Sequence, residues 1–174
     1  MKNKISNIIF TAFFLFFTQI LFVNNINFFG LFNPKLFPIF IILYPRSISN
    51  IYLLIIAFIY AFIIDAFSFT LGVGIFATVL IAFLKPYVLK IMHNRMDEDA
   101  TLSITLQGKN FIARYLFITL FIFHLVYFFT EIGQFYNIFY IIIKALFSTI
   151  LALSLYFIFV FMFVSQSQRR EVKL

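Results

Sequence analysis

Apolar runs about as long as a bilayer is thick recur along almost the whole chain, and nothing else in the sequence constrains the fold as strongly. A helix needs about 20 mostly apolar residues to cross a hydrocarbon core of roughly 30 Å, because backbone N–H and C=O groups cannot be left unpaired in lipid. Six stretches are read as spans, at about 5–23, 28–44, 51–69, 72–92, 111–130 and 138–164. The second is interrupted by Asn33, Pro34, Lys35 and Pro38, so it is expected to be broken, tilted or partly re-entrant, and five spans is the alternative count. The first follows Met-Lys-Asn-Lys and carries no A-x-A-like cleavage site after it, which reads as a retained helix and not a signal peptide. The expected fold is therefore all-α: a polytopic helical bundle in a single transmembrane domain over residues 1–174.

Composition agrees. Hydrophobic residues make up 64% of the chain and charged residues 11%, against roughly 25% charged in an ordinary soluble domain. Cysteine is absent, which rules out disulfides, thiolate metal ligands and a catalytic thiol. The formal charge of +7 is assigned to topology and lipid head groups, and nucleic acid is not expected as a partner. Lys2, Lys4, Arg46, Lys90, Arg95, Lys109, Arg114, Arg169, Arg170 and Lys173 fall on one side of a six-span arrangement, so both termini are expected in the cytoplasm. Lys35 alone falls opposite, in a short outer loop. The long loop 93–110 and the tail 165–174 then face the cytoplasm.

That loop begins His-Asn-Arg-Met-Asp-Glu-Asp and continues through the alternating run Thr101 to Leu106. It reads as a solvated loop lying on the bilayer surface, in preference to a docking strip; Asp97, Glu98 and Asp99 lack the spacing of a calcium loop. Tyr44, Tyr87, Tyr127 and Tyr136 near span ends read as interfacial anchors. Lys85, in the inner third of its span, is expected to snorkel to the cytoplasmic head groups, as is Arg114.

Ionisable groups inside a membrane are costly and are candidates for function. Asp65 lies roughly 6 Å, and Lys144 roughly 9 Å, inside the outer ends of their spans at about 1.5 Å per residue. His124 falls in the same outer half. Asp65, His124 and Lys144 are expected to form one intramembrane polar cluster, in which Asp65 is read more as a structural partner than as a proton relay. Ala57, Ala61 and Asp65, spaced by four, with Gly72 after them, form a candidate helix-packing or partner face. No nucleophile elbow, phosphate-binding loop or metalloprotease motif is present, and His93 and His124 lie on different sides of the bundle; no catalytic residue, cofactor or metal site is expected.

The stretch Ala57-Phe-Ile-Tyr-Ala61-Phe-Ile-Ile-Asp65-Ala-Phe-Ser68-Phe-Thr-Leu71-Gly72 resembles the core signature of the MreD family of rod shape-determining proteins, in its Bacteroidetes-like branch. Further likeness lies in Ala77 to Pro86, Ala113-Arg114-Tyr115, Phe123 to Glu131 and Lys144 to Thr149. It covers most of the chain from about Tyr44; the N-terminal third matches only in hydropathy. Ala57 and Ala61 stand where that family often has Gly. The resemblance implies a non-enzymatic scaffold subunit of the cell-elongation complex in the inner membrane, supporting cell shape and lateral peptidoglycan synthesis. Its partners would be an MreC-type protein and, indirectly, the MreB filament, a RodA-type glycan polymerase and its transpeptidase. The competing expectation is a substrate-binding membrane subunit of a vitamin-type transporter, since such bundles look alike.

Overall fold

A computed structural model describes residues 2–25, 33–44, 49–70, 72–92, 108–133 and 138–171, with side chains from residue 10 to residue 160, Lys109 excepted. The loop at 93–107, the links at 26–32, 45–48 and 134–137, and the last three residues lie outside the described residues, as do the expectations for His93, Asp97, Glu98, Asp99, Thr101 to Leu106 and Tyr136.

The described residues form helices and no strand. Helix α1 (Lys2–Phe17) runs on through a π-helical turn (Thr18–Phe22) and a 3₁₀ turn (Val23–Asn25). After a non-helical stretch at 33–37 comes α2 (Pro38–Leu43), followed by α3 (Asn50–Ser68), α4 (Val73–Met92), α5 (Lys109–Ile132) and α6 (Ile138–Glu171). Four of these, α3 to α6, are long and apolar enough to cross a membrane. At 34 residues, α6 is about 50 Å long and exceeds a single hydrocarbon core.

Neighbours in sequence are neighbours in space: α3 packs on α4, α4 on α5 and α5 on α6, while α2 touches both α4 and α5. Side-chain size explains how. The inner face of α5 carries two long rows, Tyr115, Thr119, Phe123, Tyr127 and Leu116, Leu120, His124, Phe128, all buried. The helices around it present small residues inward: Ala57 and Ala61 on α3, Gly74, Ala77, Thr78 and Ala82 on α4, and Ala145, Ser148, Thr149 and Ala152 on α6. Helix pairs in lipid gain chiefly from close van der Waals packing, which a large-on-small arrangement provides. The outer faces are lined by exposed apolar groups such as Ile55, Phe58, Ile59 and Phe62 on α3 and Phe139, Phe147 and Ile158 on α6.

The expected second span is not one continuous helix. Its described part is five non-helical residues followed by six helical ones, and a helix of six residues rises only about 9 Å. Pro38 occupies the first turn of α2, where its missing N–H costs nothing. Every residue from Pro34 to Ile42 is buried, so the broken segment lies inside the bundle and not on its rim.

Candidate functional site

A chain break inside lipid leaves backbone groups that only protein can satisfy. Four polar side chains serve the segment 33–44. At its upper end, Leu36 N–H donates to Gln19 Oε1 at 2.7 Å, and Lys35 N–H donates to His124 Nε2 at 3.1 Å. At its lower end, Lys85 Nζ donates to the carbonyls of Ile41 at 3.0 Å and Tyr44 at 2.6 Å, and Tyr115 donates to Ile42 O at 3.3 Å. The four come from the π turn after α1, from α4 and from α5, so the break ties three elements together.

His124 is fully buried, and its bonds assign its tautomer. A backbone N–H can only donate, so Nε2 accepts and Nδ1 carries the ring proton. That proton is directed at Leu120 O, 2.9 Å away, with Thr149 Oγ1 at 3.2 Å. Thr149 in turn donates to Ala145 O at 2.7 Å, which links α5 to α6.

Asp65 joins α3 to α4. Its Oδ1 accepts from Thr70 Oγ1 at 2.8 Å and its Oδ2 from Ile75 N–H at 3.0 Å, the latter one of the unpaired donors in the first turn of α4. Negative charge at a helix N-terminus is also favoured by the helix dipole. The turn between the helices closes through Thr70 N–H to Asp65 O at 3.2 Å, with Phe69 (φ 56°) and Gly72 (φ 92°) in left-handed conformations. Gly74 has to lack a side chain, because a Cβ there would collide with the Asp65 carboxylate. The motif Asp65 to Gly74 is thus a cross-helix cap with its clearance built in.

The sequence-predicted cluster is therefore redrawn. Asp65 and Lys144 do not pair: Lys144 Nζ lies 3.1 Å from Glu131 Oε2, across the α5–α6 end, and 4.3 Å from the Phe128 ring centroid. Nor does Asp65 bond His124. The carboxylate reaches the nearest unsatisfied donors, which the tight turn supplies within ten residues, before it can reach another helix. Of the three candidates, His124 alone reaches the broken segment, accepting from Lys35 N–H. Lys35 is 4% exposed, not in an open outer loop. Its Nζ donates to Asn24 Oδ1 at 3.2 Å and stands 5.3 Å from the Tyr127 ring centroid. Asn24 also accepts from Gln19 and donates to Ser68 Oγ at 2.8 Å, tying the end of α1 to that of α3.

Three further expectations are corrected or narrowed. Lys85, also 4% exposed, does not snorkel outward: its Nζ is held by the carbonyls of Ile41 and Tyr44 at the end of α2. Ala57 and Ala61 are wholly buried, so the small-residue face of α3 serves packing within the chain and is not open to a partner. Tyr127 is likewise buried and not an interfacial anchor. Gln19 and Asn24 were not singled out from sequence, and Tyr115 only within the family likeness; the signal that points to such partners is the pair of prolines, which announces unpaired backbone nearby.

No family model, curated protein or solved structure matches the chain. Among the described residues no three His, Asp or Glu side chains come together as metal ligands, and two buried side-chain atoms, Asn33 Oδ1 and Ser148 Oγ, lack a hydrogen-bond partner.

Proposed function

We propose that the chain is a non-enzymatic scaffold subunit of the cell-elongation complex, an MreD-type protein of the inner membrane that supports cell shape and lateral peptidoglycan synthesis. In this reading it has six crossings with both termini in the cytoplasm, the second made by the broken segment 33–44. The observation that carries the scaffold reading is the use made of the polar residues. Gln19, Asp65, Lys85, Tyr115 and His124 are engaged with backbone groups of the fold itself. Side chains committed in this way hold a shape and are not available to grip a solute, which favours a scaffold over a vitamin-type carrier. Asp65 and Gly72, from the stretch that carries the family resemblance, lie in the interlocked α3–α4 turn, where Gly74 makes room for the carboxylate, and this gives that part of the stretch a structural rationale.

With the small-residue face of α3 turned inward, an MreC-type partner would meet the opposite face, where Phe58 and Phe62 stack at 6.3 Å between centroids and are both half exposed. The test is recovery of the cell's MreC-type protein with the tagged chain from its native membrane in mild detergent. Near-stoichiometric recovery is expected, reduced severalfold by the double change Phe58→Ala and Phe62→Ala with no fall in thermal stability. Recovery instead of an ATPase energising module, or of a bound small molecule, would replace the scaffold reading with transport.

A further inference from the structure

Near the end of α4 and the start of α5 lies an open groove of about 630 Å³. Its walls are Met92 on α4, Phe111, Phe117 and Ile118 on α5, and Leu153 on α6, and its single charged lining residue is Arg114. Arg114 is exposed, and its Nε donates to Asn110 O at 3.2 Å, which draws the guanidinium back toward the start of α5. Phe117 and Ile118 follow one turn, about 5 Å, further along the helix. The groove is therefore amphipathic along its length: a cation at the mouth, and aromatic and aliphatic side chains beyond.

We infer that this groove binds one anionic phospholipid, its phosphate on the Arg114 guanidinium and an acyl chain along Phe117, Ile118 and Leu153. One guanidinium donor is engaged with Asn110; the remaining fork matches phosphate oxygens in the bidentate geometry that favours Arg at such sites. Basic pockets between transmembrane helices are the usual setting for anionic head groups, and a volume of this size lies within the ordinary range of ligand pockets. Charge complementarity selects a lipid: an apolar face without Arg114 would accept any chain, whereas a guanidinium at the head-group end discriminates by head-group charge.

The experiment is native mass spectrometry of the purified full chain in micelles containing phosphatidylglycerol or phosphatidylcholine with identical acyl chains. One phosphatidylglycerol per protein should survive detergent removal, with phosphatidylcholine retained at least tenfold less. Arg114→Gln should remove that preference, and Leu153→Trp, which fills the groove without altering charge, should lower retention of both lipids. Lys90→Gln, exposed on α4 outside the groove, should change neither. Equal retention of the two lipids by the unaltered chain overturns the inference, and so does an unaffected Leu153→Trp variant. Displacement by glycerol phosphate as effective as by whole lipid would also overturn it, as a free-phosphate site. A dimer mass without lipid preference would assign the groove to a second copy instead.

Discussion

Asp65 stands in the last turn of α3 and reaches the first turn of α4, where Gly74 leaves room for it. Asp65→Ala removes acceptors from Thr70 Oγ1 and Ile75 N–H and should destabilise the chain by about 1–3 kcal/mol, as expected when buried donors lose their partner. Gly74→Ala should cost a similar ~1–3 kcal/mol through overpacking. The two costs should not add: with the carboxylate gone the new methyl has space, and a double-mutant cycle on thermal unfolding should show a favourable coupling of roughly 1 kcal/mol or more. Additive costs would mean that the interlock does not hold the turn. His124→Phe keeps a ring in the α5 row but strands Lys35 N–H, and a loss of about 1–3 kcal/mol is expected. His124→Gln, which retains an acceptor, should be milder in the same unfolding assay.

Among the elements, α2 is the one that could not stand alone. Six residues form too short a helix to persist in isolation, and its ordering comes from Tyr115 and Lys85 at one end and from aromatic packing beside it. Phe37 meets Phe123 edge-on at 5.6 Å, and Phe40 meets Tyr60 at 4.9 Å between centroids. Tyr60 also donates to Ala12 O at 2.9 Å, so α3 touches both α2 and α1. Lys85→Met should therefore free the Ile41 and Tyr44 carbonyls and raise amide hydrogen exchange across 39–44, while the first turns of α4 keep their protection. An unchanged exchange pattern would show that packing alone holds α2.

For the whole molecule, the descent of the segment 33–44 can be gauged from its partners. It is held by His124 near the top and by Lys85 near the bottom, and Lys85 lies about 16 Å along α4 from Gly74, the level of Asp65. That distance is about half of a hydrocarbon core of roughly 30 Å, so whether the segment crosses is decided by which side its two flanks reach. Because the chain has no cysteine, single-cysteine variants report topology without background. A membrane-impermeant maleimide applied to intact spheroplasts should label cysteines placed at Asn25 and Ile138 but not at Ser49 and Gly108, with the pattern reversed in inverted vesicles. Labelling of Asn25 and Ser49 from the same side would leave the broken segment as a re-entrant loop and reduce the count to five.

Length of apolar runs and the low share of charged residues within them were enough to make the chain a helical membrane protein, since lipid offers the backbone no other partner than itself. The turn at Gly72 and the interruption before Pro38 were legible because glycine and proline act locally. Which ionisable group meets which was not legible. Asp65, Lys85, His124 and Lys144 announce themselves as costly in a membrane, but their depth along a helix does not say what faces them. That was decided by tertiary structure: a buried polar group takes the nearest unsatisfied partner, and the break at 33–37 brought unpaired backbone to His124 and Gln19, while the α3–α4 turn brought donors to Asp65.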